Sequence, residues 1–191
     1  MEFKGAMDYP LLELGMSQLY LSRDKLNGVH TWLNLNSAAR MTPLPVHDFG
    51  DGRYTLTDGH TRAYAAWQLG LDRIPITYDR DDIVARGMGP ALYRMDIEWC
   101  ARFGIRDVRQ LAGRIVDGAD YERLWIRRCE RGYNLIKHTT PAQRAALVRS
   151  QPALYLYGAS PDALCFYFED IRGGLYVFDL MHGDALRAEH D

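Results

Sequence analysis

The stretch YTLTDGHTRAYAAW, residues 54–67, decides the fold of the first part of the chain. Residues 54–57 alternate apolar and polar side chains, as a half-buried strand does. Asp58 and Gly59 then give a turn signal, and the apolar residues that follow recur at helical spacing until Gly70, a typical helix stop. The sequence therefore predicts a strand that passes through a tight turn directly into a helix.

The turn predicted at Asp58–Gly59 opens onto a helix N-terminus, where unpaired backbone N–H groups attract anions. Gly59 allows a ligand to approach the backbone, and Arg62 can reach back to clamp a phosphate or carboxylate. His60 can donate to a phosphate oxygen or move a proton near neutral pH. Asp58 can accept from a hydroxyl, hold a cation or cap the helix. The same residues also suit a purely structural turn in which Arg62 pairs with a nearby acid, so the residues alone leave both interpretations open.

The segments on either side of this turn complete a small unit that ends near residue 80. Ser22 is a suitable N-cap for a helix, and Asp51-Gly52 is a hairpin turn signal. Pro75 indicates an edge strand or the start of a strand. The predicted elements are strands at 19–21, 46–49, 54–57 and 74–78 and helices at 24–39 and from residue 60 to about 69.

The second half of the chain is predicted to form helices first and then strands. Thr140-Pro141 is typical of a helix start, and Gly173-Gly174 can turn two strands into a hairpin. The prediction is an α+β fold: a small mixed sheet with helices over residues 1–80, then a helical block and a C-terminal antiparallel β meander over 81–191. No flexible linker separates the two parts, so we expect them to pack together. The elements predicted here are helices at 90–103, 106–116, 119–131 and 141–149 and strands at 154–157, 164–168 and 175–178.

Composition indicates a soluble, globular, cytoplasmic protein. The chain has 191 residues, a formal net charge of −2 and three cysteines. No apolar run approaches the ~20 residues that a membrane span needs, and the first residues do not resemble a secretory signal. Widely spaced cysteines favour reduced thiols, and neither they nor the histidines show metal-ligand spacing, so no metal ligands are predicted.

Charge is unevenly distributed along the second half of the chain. Residues 101–149 are rich in Arg and Lys, whereas residues 150–191 are acidic. Either the basic helices pack beside an acidic sheet, or they form a face for a polyanion such as DNA. The net charge and the absence of an evident helix-turn-helix motif argue against DNA, for which Arg127, Arg128 and Arg131 are the candidate contacts.

The string DGHTR at residues 58–62 resembles the signature turn of the ParB/sulfiredoxin superfamily. The closest form is the D-G-H-H-R turn of the free-serine kinase branch, which phosphorylates serine using ADP. Asp58, Gly59, His60 and Arg62 match that form, and Thr61 replaces its second histidine. The resemblance covers roughly residues 8–80. His60 stands where sulfiredoxin has its catalytic cysteine, which excludes sulfinic-acid reduction.

The resemblance implies a ParB/sulfiredoxin-like fold for residues 1–80 and a role for each matching residue. Asp58, Gly59, His60, Thr61 and Arg62 would hold nucleotide phosphates. Asp24 falls at the place of the kinase branch's catalytic glutamate, although its side chain is one methylene shorter, and Asp24 and His60 are the candidate catalytic residues. Asp24 can equally be an acidic residue that favours a helix start. Arg23 is either a further phosphate contact or a surface charge.

Three functional classes follow. The favoured one is a phosphotransferase or nucleotide hydrolase that uses ADP or ATP, with CTP as another candidate and Mg²⁺ as a companion, on a small hydroxyl-bearing substrate. The second is a ParB-like DNA-associated protein or nuclease. The third is a ligand-binding module without enzymatic activity, in which residues 81–191 serve an effector or dimerisation role. A homo-oligomer is compatible with each.

Overall fold

The computed structural model of the protein describes residues 2–182 and 186–188. The chain forms two compact units that divide between Trp125 and Ile126. Each unit has its own secondary structure and its own buried residues, and the two are described in turn.

The first unit is a mixed α+β structure. Short 3₁₀ turns cover Leu11–Glu13, Ala38–Arg40 and Val108–Arg114. Its strands are β1 (Ala6–Pro10), β2 (Leu21–Ser22), β3 (Leu44–Asp48), β4 (Tyr54–Leu56), β5 (Arg73–Tyr78) and β6 (Ile115–Val116), and its helices are α1 (Arg23–His30), α2 (His60–Gln68), α3 (Asp82–Ala85), α4 (Gly89–Arg102) and α5 (Gly118–Tyr121).

The main sheet of this unit has the strand order β1-β5-β3-β4. β3 and β5 are parallel, whereas the other two pairs are antiparallel, so the predicted mixed sheet is confirmed. The interpretation of Pro75 as a sign of an edge strand is wrong, because β5 lies between β1 and β3. The parallel pairing with β3 starts only at Ile76, so Pro75 precedes that ladder.

Three predicted helices differ from the structure. The helix predicted at 119–131 is divided into α5, a π-helical stretch and a further helix, Arg127–His138. The helix predicted to reach residue 39 ends at His30, because Asn34 and Ser37 then bond to each other's backbone and stabilise a turn instead. The helix predicted at 106–116 is a 3₁₀ segment that begins at an Asp107 capping box and leads into β6. β6 pairs with β2 in parallel, which is a contact between segments more than 90 residues apart.

The first unit extends well past residue 80, where the sequence suggests a boundary. Trp99 of α4 is fully buried. The Tyr93 hydroxyl donates to the carbonyl of Thr57 (3.1 Å), and the Arg94 guanidinium donates to that of Phe49. Residues 81–125 therefore share the core of the first unit.

The second unit is a four-stranded antiparallel meander with helices. A π-helical stretch, Glu122–Ile126, leads into it from α5. Its elements are α6 (Arg127–His138), α7 (Pro141–Ser150), β7 (Tyr155–Ala159), β8 (Cys165–Glu169), β9 (Leu175–Asp179) and β10 (Leu186–Ala188), with the strand order β10-β9-β8-β7. The predicted C-terminal meander is thus confirmed.

Helix α6 packs on β7, and the core between them includes Leu135, Tyr157 and Phe168. A buried ion pair accompanies this packing. The Arg128 guanidinium donates to both carboxylate oxygens of Glu169, at 3.3 and 3.0 Å. The pair joins a basic residue of the helical segment to an acidic residue of the sheet, so within this unit the two charge blocks meet at this ion pair.

Candidate anion site at the start of helix α2

The turn between β4 and α2 places a glycine directly at the helix start. Gly59 is the N-cap of α2, with the left-handed φ of +81°, and no side chain caps this helix. The first intrahelical bond runs from the Ala63 N–H to the Gly59 carbonyl (2.9 Å). Within the described part of the chain, the backbone N–H groups of His60, Thr61 and Arg62 therefore have no hydrogen-bond partner.

Gly59 is required here for two reasons. Its φ lies in the region that side-chain-bearing residues rarely adopt. A Cβ at this position would also lie 2.8 Å from Leu44 Cδ2 of β3 and 3.0 Å from Nη2 of Arg62. The Arg62 side chain thus folds back across the glycine; its role as a ligand clamp stays a prediction.

Arg62 also lies near the acidic residue that precedes the glycine. Its Nη2 is 3.5 Å from Oδ2 of Asp58, whose side chain is 81% exposed, whereas that of Arg62 is 24% exposed. An ion pair of this kind is weak because water competes for both groups. The Arg62–Asp58 pair therefore fits both interpretations that the sequence leaves open, a clamp for an anion and a structural turn in which Arg62 pairs with an acid.

His60, the first residue of α2, is almost completely buried, with 3% of its surface exposed. The Ser17 N–H donates to its Nε2 (3.2 Å), and the Ser17 hydroxyl donates to the Leu56 carbonyl (2.7 Å). Because Nε2 accepts a hydrogen bond, the proton of the neutral ring lies on Nδ1. Nδ1 is buried and has no partner among the described residues.

Burial lowers the pKa of His60 from 6.5 to about 4, and the nearby Asp58 carboxylate only partly opposes this effect. The imidazole is therefore neutral at pH 7. Its Nδ1–H is a neutral donor that is closed off from solvent in this structure. A buried donor without a partner is uncommon in folded proteins and indicates a place where a ligand or water completes the hydrogen bonding.

The residue just before the turn is held from two sides. The Thr57 hydroxyl donates to Oδ2 of Asp79 (2.5 Å), which follows β5. The Thr57 carbonyl accepts from the Tyr93 hydroxyl of α4. These bonds fix the path of the chain into Gly59, so the site lies on rigid elements rather than on a free loop.

Several carboxylates lie around this support. The pKa of Tyr93 is raised to about 12, mainly because the phenol is buried and also because Asp96, Asp79 and other carboxylates lie nearby. Tyr93 therefore remains a hydrogen-bond donor at any physiological pH. Among residues 2–182 and 186–188, no three His, Cys, Asp or Glu side chains form a group that could hold a metal ion. A divalent cation here would need ligands from a second molecule.

The other two candidate residues lie at the start of α1. Ser22 caps this helix as predicted, by accepting from the Lys25 N–H. Arg23 donates to the Ile115 carbonyl (3.2 Å), and Gly118 lies close to Oδ2 of Asp24. No hydrogen bond or ion pair in the described residues joins Arg23 or Asp24 to the turn at 58–62.

The packing of α1 against α2 nevertheless places their first turns at the same end. At the C-terminal ends, the His30 ring nitrogen Nε2 and the Gln68 side-chain oxygen are 2.9 Å apart. At the other end, β2, which leads into α1, also contacts α2. The two helices thus run side by side in the same direction, with Asp24 on the side where His60 starts α2.

The arginines considered for DNA contact have different surroundings in the second unit. Arg128 is buried in its pair with Glu169. Arg131 donates to the Tyr157 hydroxyl (2.8 Å) and its guanidinium lies 3.8 Å from the ring centre of Tyr167. Arg127 is exposed. Two of the three therefore make contacts inside the unit.

Sequence reasoning missed Ser17 and Tyr93, which orient His60 and Thr57. Ser17 is 43 residues from His60 along the chain, and no motif or periodicity relates the two. Tyr93 is likewise 36 residues from Thr57 along the chain, and no motif or periodicity relates these two either. Only the fold brings these residues together.

Comparison with known proteins gives no match, either to a protein family or to an individual curated protein. A separate property of the structure is that none of the helices in residues 2–182 and 186–188 combines the length and the apolar character that membrane crossing demands.

Proposed function

We propose that the start of α2 binds the phosphates of a nucleotide and that the protein is a phosphotransferase or nucleotide hydrolase acting on a small hydroxyl-bearing substrate. The observation that carries the proposal is the start of α2, where, among the described residues, three backbone N–H groups lack a partner beside Gly59 and the folded-back Arg62 guanidinium. Phosphate oxygens are the acceptors that such a set of donors fits. The resemblance of residues 58–62 to the turn of the free-serine kinase branch supports the same ligand.

Charge around the turn favours a nucleotide that carries Mg²⁺. Asp58, Asp79, Asp81 and Asp96 all act on Tyr93, so an uncompensated polyphosphate would meet repulsion. Mg²⁺ is commonly bound by one or two carboxylates together with substrate phosphates. The exposed Asp58 carboxylate would supply the protein ligand, and the cation would neutralise charge on the phosphates.

The chemistry assigned to the chain is the transfer of a phosphoryl group to a hydroxyl oxygen. The new P–O bond forms as the bond to the nucleotide leaving group breaks, and the hydroxyl proton passes to Asp24 acting as general base. Arg62 and the N–H groups of α2 would hold the phosphates in position. With water in place of the substrate hydroxyl, the same arrangement performs nucleotide hydrolysis.

Isothermal titration of the full chain with ADP, ATP, CTP and GTP, each with and without Mg²⁺, tests the binding. We expect Arg62→Ala to lower the affinity for the tightest-binding nucleotide by about tenfold to a hundredfold, the effect of losing a hydrogen bond to a charged group. Arg86→Ala is the matched control, because Arg86 also pairs with an aspartate four residues before it, and both side chains of that pair are exposed.

Turnover is tested separately from binding. Mixtures of the bound nucleotide with hydroxyl-bearing small molecules, free serine included, are examined for a phosphorylated product or for nucleotide hydrolysis. Asp24→Asn is expected to keep the affinity and abolish turnover. If the wild type binds no nucleotide at all, the turn at 58–62 is a structural cap and the ligand-binding module without enzymatic activity is the better interpretation.

A further inference from the structure

A small cavity lies in the first unit, and its lining does not include the start of α2. Its volume is about 210 Å³, below the ~300–1,000 Å³ of pockets for drug-sized ligands, so it suits a small metabolite. The turn before β4, the segment that follows β1, and the end of α4 enclose it. The lining residues used below are Met16, Asp51, Arg53, Ile97, Ile105 and Arg106.

One arginine in this cavity is held rigidly by the backbone. Nε of Arg53 donates to the Glu13 carbonyl (2.9 Å), and its Nη2 donates to the carbonyls of Leu14 (2.9 Å) and Arg106 (2.8 Å). Within the described residues, Nη1 is the guanidinium nitrogen that has no partner. A positive group fixed in this way loses little conformational freedom when it binds an anion.

Two further charges line the same cavity. The Arg106 side chain is exposed and makes no hydrogen bond or ion pair in the described part of the chain. Among the described residues, the Asp51 carboxylate accepts only from the Arg53 backbone N–H (3.2 Å), which leaves its second oxygen available. The cavity thus offers two cations and one anion within a small volume.

The rest of the lining is apolar except for Thr55. Met16, Ile97 and Ile105 contribute hydrocarbon surface, and Ile105 is almost fully buried. A phosphate would gain nothing from this wall and would be repelled by Asp51. The lining instead complements a molecule that carries a carboxylate, an ammonium group and a compact apolar part.

We propose that this cavity binds a free α-amino acid with an aliphatic side chain. Arg53 and Arg106 receive the carboxylate, Asp51 receives the ammonium group, and the aliphatic side chain lies against Met16, Ile97 and Ile105. The proposal does not depend on nucleotide binding at α2, because the lining residues of the cavity do not include those of the turn at 58–62.

The test is an NMR titration of the full chain with L-leucine and L-valine and with two stripped probes. 4-Methylpentanoate lacks the ammonium group of leucine, and 3-methylbutylamine lacks its carboxylate. We expect saturable shifts with an amino acid and binding about tenfold weaker or more for each stripped probe, since each loses a charge-assisted hydrogen bond.

Two exposed variants give a crossed control. Arg106→Gln should lower the affinity for leucine about tenfold and leave the affinity for 3-methylbutylamine unchanged. Asp51→Asn should lower the affinity for leucine and leave the affinity for 4-methylpentanoate unchanged. The amide oxygen of the asparagine can still accept from the Arg53 N–H. Arg86→Gln serves as the neutral reference. The proposal is overturned if neither amino acid gives a saturable response, if the stripped probes bind as well as leucine, or if inorganic phosphate occupies the cavity instead.

Discussion

At the scale of single residues, Gly59 and His60 show how one turn combines strain and burial at the candidate site. Gly59 adopts a φ of +81° under the folded-back Arg62 side chain. His60 places an imidazole in the interior, where its Nε2 accepts from Ser17 and its Nδ1 has no partner among the described residues. Gly59 tolerates its positive φ because it has no Cβ, whereas a buried His60 Nδ1 without a partner costs stability, and both residues lie at the start of α2.

Gly59→Ala is expected to lower the free energy of unfolding by about 1–2 kcal/mol or more, the cost of a left-handed conformation at a residue with a Cβ. The contact with Leu44 at 2.8 Å adds to this cost. Urea unfolding followed by circular dichroism measures it. The control is Gly28→Ala in α1, where a Cβ meets nothing within 4 Å and the protein should become more stable by up to about 1 kcal/mol. Equal effects of the two substitutions would contradict the strained geometry of the turn.

His60 should make stability depend on pH in the acidic range. Its pKa is about 4 in the folded protein against an ordinary 6.5, so between these values the unfolded chain binds a proton that the folded chain does not. The contribution is fully present above pH 6.5 and is lost as the pH falls through about 4, on the order of 3 kcal/mol in all.

The measurement is the free energy of unfolding from pH 7.5 to 4, for the wild type and for His60→Gln. Subtracting the two profiles removes the effect of the carboxylates, and the wild type should lose more stability on acidification. His30→Gln changes an exposed histidine and should keep the wild-type slope. Parallel profiles for the wild type and His60→Gln would show that His60 titrates normally.

At the scale of secondary-structure elements, close packing of α6 on β7 organises the second unit. A Cβ on Gly158 would lie 2.4 Å from Cβ of Arg131 and 3.1 Å from its backbone carbonyl carbon. The helix backbone therefore lies directly on the strand, and the Arg128–Glu169 pair sits beside this contact. No flexible side chain can move aside to make room.

Gly158→Ala should therefore force α6 away from β7 and lower the free energy of unfolding by about 1–3 kcal/mol, the usual cost of overpacking a core. Thermal and urea unfolding of the full chain report the change. Gly113→Ala is the reference, because a Cβ there meets nothing within 4 Å and its stability should stay equal or rise slightly. A Gly158→Ala protein as stable as the wild type would show that the helix and strand are more loosely packed.

At the scale of the whole molecule, the chain divides into two compact units and carries a net charge of −2. The basic residues of 101–149 do not translate directly into a basic surface. Arg128 and Arg131 make contacts inside the second unit, whereas Arg127 is exposed. Charge along the sequence and charge on the surface are thus different quantities in this protein.

Duplex DNA is consequently expected not to bind measurably at physiological salt. Fluorescence anisotropy of a labelled duplex, at about 20 mM and about 150 mM salt, measures the affinity and its salt dependence. Arg127→Ala is the informative variant because its side chain is exposed. Tight binding that falls steeply with salt and disappears in Arg127→Ala would reverse the ranking of the functional classes.

The sequence by itself determined the local structure of this protein. The strand, the glycine turn and the helix of residues 54–68 form as predicted. Ser22 and Thr140 each cap a helix, because the side chain accepts a hydrogen bond from the backbone N–H three residues later. The local make-up of the turn was also predictable, because a helix start with free N–H groups, a glycine and an arginine one turn apart depends only on neighbours in the chain; anion binding there stays a prediction.

The tertiary structure alone decided which distant segments meet. It placed β1 beside β5 and so moved Pro75 away from the sheet edge, and it joined residues 81–125 to the first core. It set Ser17 against His60 across 43 residues and Arg128 against Glu169 across 41. Periodicity and capping signals arise from interactions within a few residues, whereas these pairings follow from how whole elements bury their apolar faces against one another, and no local pattern encodes that choice.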